Sequence, residues 1–306
     1  MNLACSKRMK AAIPLWLPFY DGVLSAGTRR QLLTVSAATI DRLLAPMHAK
    51  HGKIGLTTTR PGSLLKKHIS IKTNQWDETR PGFLEADTVA HCGSALGGMF
   101  VYTVNTVDIA TQWTEQRAVW GKGERGVREA LHDIEHSLPF RIRGFDCDNG
   151  SESLNWTILK YWVHRKIPVQ YTRSREYQKN DNAHIEGKNW THVRQYIGYK
   201  RLDQPELASQ MNGLYTSQWR LLFNYFLPSM KLIAKHREGS RTVKTYEPAK
   251  TPFQKVLESS DVDHKTKRRL QHEHESLNPF ELQQQIARKI SGILDHATPT
   301  AVRKVG

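Results

Sequence analysis

The order of elements between residues 79 and 198 constrains the fold most. PGFLEADTVAHCG, MFVYTVNTVD and TQWTEQRAVW are three β-rich runs separated by glycine or polar turns, which predicts antiparallel strands. GERGVREALHDIEHSL has helical periodicity, RIRGFDCD reads as a strand, SLNWTILKYWVHRK as a helix and IPVQYT as another short strand. The polar segment RSREYQKN leads into a long helix, DNAHIEGKNWTHVRQYIG. Three strands, helix, strand, helix, strand, helix predict an α/β domain with a mixed sheet.

Acids fall at informative places in that order. GFDCDNGSES carries Asp146, Asp148 and Glu152 close together, while Asp87 sits mid-way along the first strand and Glu186 about one turn into the long helix. Asp148 closes the fourth strand just before the Asn149–Gly150 turn. Two acids on neighbouring strands and one on a helix can converge at the sheet's edge. Three carboxylates there can hold two hard divalent ions about 3.5–4 Å apart, an arrangement suited to in-line phosphoryl displacement.

Asp87, then Asp148-Asn149-Gly150-Ser151-Glu152, then Glu186 in N-D-N-A-H-I-E before K-N-W and R-x-x-x-G-Y, resembles the DDE integrase core of bacterial insertion-sequence transposases and retroviral integrases. The 37 residues between Asp148 and Glu186 are close to that family's spacing. The resemblance spans roughly residues 76–230 and implies an RNase H-like fold, a mixed five-stranded sheet with flanking helices. It selects Asp148 as the second acid, with Asp146, two residues back on the same face, supporting the site. Glu152 is expected to serve the start of the next helix, and Asp108 to form a turn. The implied cofactors are two Mg²⁺ (or Mn²⁺) ions, with Asp87 bridging both, Asp148 on one and Glu186 on the other. Positions 182, 186, 189 and 193 share a helical face, so Asn182 and Asn189, with Lys188 and Arg194 nearby, are expected at the DNA. The alternative for this helix is a solvated, amphipathic surface with Trp190 and Val193 turned to the core.

The flanks point to a polyanion. Net charge is +16 at a pI near 9.8. Residues 1–75 hold 12 Lys/Arg against 2 Asp/Glu, residues 76–230 hold 18 of each, and residues 231–306 hold 15 against 9. Basic arms around a neutral core suit a grip on nucleic acid. Within 1–60, TRRQLL, TVS and AATIDRLLAPMHAKHG read as helix, turn, helix, with Ser36 as cap and Ile40, Leu43 and Leu44 as the apolar stripe. Such a helix-turn-helix-like region would offer Thr39 and Arg42 to DNA. Residues 61–75 read as a basic linker. Residues 231–306 begin with KLIAKHREGSRTVKTYEPAKTPFQK, which has seven Lys/Arg against two Glu. Two helices follow it. In the last, Leu282, Ile286, Ile290 and Ile293 form a stripe for packing within the chain or against a second copy.

No run approaches the roughly 18 apolar residues of a membrane span, and three cysteines without C-x-x-C spacing suit a reducing cytoplasm. The expected protein is therefore a cytoplasmic, nucleoid-associated transposase or integrase. Its partners would be double-stranded DNA, as element ends and target, and further copies of itself. Two rivals stand beside it: a hydrolysis-only RNase H-like nuclease, and a non-enzymatic DNA-binding remnant of a transposase.

Overall fold

The structure is a computed structural model and describes residues 4–48, 70–71, 79–147, 161–162, 165–173, 183–239 and 241–297. Its centre is a mixed sheet built from β1 (Ser70–Ile71), β2 (Phe83–Ala90), β3 (Val101–Asp108), β4 (Thr114–Trp120), β5 (Gly144–Cys147) and β6 (Gln170–Arg173). The spatial order is β1-β6-β5-β2-β3-β4. β2, β3 and β4 form an antiparallel meander, and β5 pairs parallel with β2 on its other side, followed by β6 and the two-residue β1. The five longer strands resemble an RNase H-like core, as expected; β1 extends the edge.

Every residue of β3 is buried, because helices cover both faces of the sheet. On one face lies α4 (Glu124–Ser137), after the N-terminal helices α1 (Ser6–Trp16), α2 (Ala26–Thr34) and α3 (Ala37–His48). Val127, Ala130, Leu131 and Ile134 give α4 an apolar stripe at helical spacing, and it packs mainly on β4. Phe145 of β5 stacks on Trp162, at 5.0 Å between centroids. Most of the helix expected there, like the linker and the RSREYQKN segment, lies outside the described residues.

The opposite face meets α5 (Ala183–Lys188), which continues without a break through a π-helical stretch, Asn189–Arg194, and a last turn, Gln195–Ile197. Then come α6 (Pro205–Leu214), a π-helical Tyr215–Trp219 and α7 (Arg220–Tyr225). These two helices run along the exposed edge of the meander. Asn212 accepts the Ala118 N–H at 2.7 Å and donates to the Ala118 carbonyl at 2.8 Å. Asn224 does the same for Thr114, at 2.9 Å in both directions. Two amides thus satisfy β4 where a further strand would otherwise pair.

Turn chemistry ties the meander together. Asp108, buried at the end of β3, accepts N–H bonds from Gly82 and Thr111 and the Thr111 hydroxyl, each at 2.7 Å. It is the turn former expected, and burial pushes its carboxyl up to about 6 against those bonds. Gly82 has φ +112°, and a Cβ there would sit 2.3 Å from the Arg141 carbonyl oxygen, so only glycine fits.

The C-terminal region is a hairpin, β7 (Leu232–Glu238) with β8 (Arg241–Tyr246), and three helices, α8 (Pro252–Glu258), α9 (His264–Glu275) and α10 (Pro279–Asp295). The hairpin lies in the basic stretch, to which the sequence assigned no element. On α10, Leu282, Ile286 and Ile293 are buried and Ile290 packs on the same core. That stripe is consumed within the chain and does not face a second copy. α1, which the sequence reading did not identify, joins the same core: Trp16 donates to the Phe226 carbonyl at 3.0 Å and meets Phe280 edge-on at 5.1 Å. In α3, Ser36 caps as expected, with its hydroxyl accepting the Thr39 N–H at 3.0 Å. Ile40 is buried, but Leu43 is 71% exposed and does not continue the stripe. Among the described residues, no helix is long and apolar enough to cross a membrane.

Candidate active site

Asp87 stands fifth of eight residues in β2, the strand that joins the antiparallel and parallel halves of the sheet. It lies in register with Asn105, and Asn105 with Gln116, so all three side chains share the face under α5. A chain of hydrogen bonds links them. Gln116 Nε2 donates to Asn105 Oδ1 at 2.8 Å, Asn105 Nδ2 to Asn189 Oδ1 at 2.8 Å, and Asn189 Nδ2 to Asp87 Oδ2 at 2.6 Å. Each amide is oriented by the next, and the last N–H is delivered to a carboxylate, the stronger kind of hydrogen bond. The other oxygen, Oδ1, accepts the Thr88 N–H at 2.7 Å.

A second contact fixes α5 over the same strand. Glu85, two residues before Asp87 and on the same face, is 1% exposed, and its Oε2 accepts the Ile185 N–H at 3.1 Å. The backbone of residue 186 is therefore held between two anchors, positions 185 and 189, both bound to β2 side chains. Glu85 was missed in the sequence. Its signal was the two-residue alternation in LEADTV, which puts any acid at 85 beside Asp87.

On the parallel side, Glu85 pairs in register with Asp146, and Ala86 with Cys147. Asp146 is fully buried and accepts the Thr172 hydroxyl at 2.8 Å. Asp148, Glu152, Asn182 and the side chain of Glu186 lie outside the described residues. Among those described, no group of three or more His, Cys, Asp or Glu is placed to hold a metal ion. Of the proposed ligand set, Asp87 is described: a carboxylate held by the Asn189 amide and the Thr88 N–H.

The residues expected at DNA separate into inward and outward groups. Asn189 is occupied by Asp87 and Asn105. Arg194 donates to the carbonyls of Ala90 at 2.7 Å and Gly198 at 3.2 Å and lies over the Tyr199 ring. Lys188 is 6% exposed, and burial, with the nearby Arg8 and Lys255 charges, lowers it to about 7. These three turn inward where a DNA-facing surface was expected. The polar face of β2–β4 draws in Asn189, the Ala90 carbonyl holds Arg194, and Lys188 is buried on the helix's other side, toward α1. Val193 is buried, whereas Trp190 is 36% exposed. Arg42 is exposed and Thr39 half-buried on α3, with Arg42 donating to the Thr39 hydroxyl at 3.2 Å.

Comparison with known proteins places the chain beside a rhizobial relative. The uncharacterized protein y4rM of Sinorhizobium fredii (strain NBRC 101917 / NGR234) is 40% identical over 258 residues, covering 81% of this chain and 72% of that protein. The chain belongs to the y4rM family. No protein-family model matches it. Among solved structures, a cryoEM structure of a simian T-cell lymphotropic virus intasome in complex with PP2A regulatory subunit B56 gamma is similar over 73% of this chain and 68% of that one, at 13% identity and a TM-score of 0.39.

Proposed function

We propose that the protein is a DDE-type transposase or integrase that cleaves DNA strands at the ends of a mobile element and joins them to a target duplex. The observation that carries this reading is the docking of α5 on β2, which brings the backbone of residue 186 over the strand of Asp87 through the Glu85–Ile185 and Asn189–Asp87 bonds. The proximity of the residue-186 backbone to the strand of Asp87, far apart in sequence, supports this reading.

Asp87, Asp148 and Glu186 would hold two Mg²⁺ or Mn²⁺ ions, which supply an activated water and charge stabilisation at the leaving oxygen. Asn189 holds the Asp87 carboxylate in one orientation, backed by Asn105 and Gln116. Glu85 holds the start of α5 against β2. Asn182, Thr39 and Arg42 would contact DNA phosphates, helped by the basic charge of residues 1–75. No covalent protein–DNA intermediate is required. Joining two ends in concert requires two such sites, so the protein would act as a multimer on paired ends.

The test is substitution of the acids without change of volume. Asp87→Asn, Asp148→Asn and Glu186→Gln should each abolish strand cleavage and strand transfer on a duplex carrying the element's own ends, with DNA binding retained. Activity in Asp148→Asn with loss in Asp146→Asn would move the second acid to position 146. Cleavage without transfer would favour a hydrolytic nuclease.

A further inference from the structure

Away from Asp87, α1 crosses the outer side of the α5 segment and leaves a cavity between them. Arg8 and Ala12 of α1 form one wall, Lys188 and His192 another, and Phe223 and Pro228, beyond α7, close the end. The space is larger than one water molecule requires. No Asp or Glu lines it among the described residues.

Among the described residues its positive charge meets no counter-charge. Lys188 is 6% exposed, and its ammonium has no hydrogen-bond or ion-pair partner among the described residues. Arg8, half-buried at the opposite wall, donates through Nε to Cys5 Sγ at 3.4 Å and has no acidic partner among the described residues. His192 spends Nδ1 on the Thr191 hydroxyl at 2.8 Å and adds no negative charge. Buried charges are ordinarily paired, because desolvation without a counter-charge is costly. Arg8 and Lys188 thus face one cavity with no acid among its described lining residues, an arrangement that suits an anion. A guanidinium fork and an ammonium, approaching from different walls, suit an oxyanion with several acceptor oxygens.

We propose that this cavity binds one phosphate-class oxyanion, held between Arg8 of α1 and Lys188 of α5. The anion would tie the N-terminal helix to the helix carrying residue 186. It arrives either as free phosphate or as the terminal phosphate of a nucleic-acid strand. The proposal does not rest on the transposase reading, since it needs neither metal nor catalysis.

Thermal unfolding of the full chain, titrated with inorganic phosphate against chloride at constant ionic strength, tests it. Wild type and Asp87→Asn should show the same saturable rise in Tm. Lys188→Met should lose the rise, while unfolding in chloride no earlier than wild type, because a buried unpaired charge is gone. Arg8→Gln, at the half-exposed wall, should weaken phosphate binding at least 10-fold and serves as the deciding variant if Lys188→Met does not fold. Competition by a short 5′-phosphorylated oligonucleotide but not its unphosphorylated twin identifies a strand terminus as the source; competition by neither identifies free phosphate. No saturable rise in wild type, or an equal rise in the Arg8 and Lys188 variants, overturns the proposal.

Discussion

At the residue scale, the feature with most consequence is the bond from Asn189 to Asp87. It converts a surface-facing candidate into a positioning group, since its amide is spent on Asp87 and Asn105. Asn189→Ala should lower cleavage by about 10–100-fold, the loss typical when a group that orients a ligand is removed. Because Asp87 would lose its fixed orientation, the Mg²⁺ concentration giving half-maximal cleavage should rise, and restoring the amide with Asn189→Gln should recover part of it. An unchanged metal requirement would count against the positioning role.

His91 makes a pH prediction of definite sign. It is buried, with Nε2 2.8 Å from the Thr103 hydroxyl, and burial, with the Arg194 charge, lowers it from 6.5 to about 3. Between these values the unfolded chain takes up a proton that the native imidazole does not, so this group's contribution is present above pH 6.5 and lost as pH falls. Asp108, raised to about 6, acts in the opposite direction over part of the same range. Comparing wild type with His91→Gln isolates the histidine. The stability difference should shift in the variant's favour by about 1.4 kcal/mol per pH unit between pH 6 and 4. Denaturant titrations at several pH values read it directly, and a pH-independent difference would refute it.

At the scale of elements, β4 shows how an edge strand is closed by side chains. Asn224 is fully buried and pairs with both polar groups of the Thr114 backbone. Asn224→Ala would strand a donor and an acceptor out of water, at a cost of about 2–4 kcal/mol in urea unfolding. Asn212→Ala, at the partly buried Ala118 site, should cost less. Elements with strong periodicity were legible in the sequence: the three strands of the meander and α4 lie where their patterns put them. The β7–β8 hairpin was not, because its exposed residues Leu232, Ile233 and Tyr246 do not alternate with polar ones. α1 was obscured by Pro14, which it accommodates within the helix.

At the scale of the whole molecule, the N-terminal and C-terminal regions are not appendages to the central sheet. Trp16 of α1 and Phe280 of α10 meet beside Phe226, and both helices contribute to the same apolar cluster as the sheet. A fragment limited to 76–230 would expose that surface, so the contribution of the basic flank is better measured in the full chain. Arg29, Arg30 and Arg42 are exposed on α2 and α3. If they lie against DNA phosphates, changing all three to Gln should reduce the slope of log affinity against log salt by about 2–3, with unfolding unchanged. An unaltered slope would place the DNA elsewhere on the molecule.

The sequence by itself determined the order of β2, β3, β4, α4, β5, β6 and α5, the position of Asp87 within its strand and the imbalance of charge between core and flanks. These depend on local pattern and composition, which a linear reading can follow. Which side chains face Asp87 was decided by tertiary structure alone. Asn189 and Glu85 acquire their roles only when α5 is laid across β2, a pairing between residues about 100 positions apart. The same holds for Lys188. Its spacing on the helix is that of a surface cation, and only the passage of α1 over that helix buries it beside Arg8.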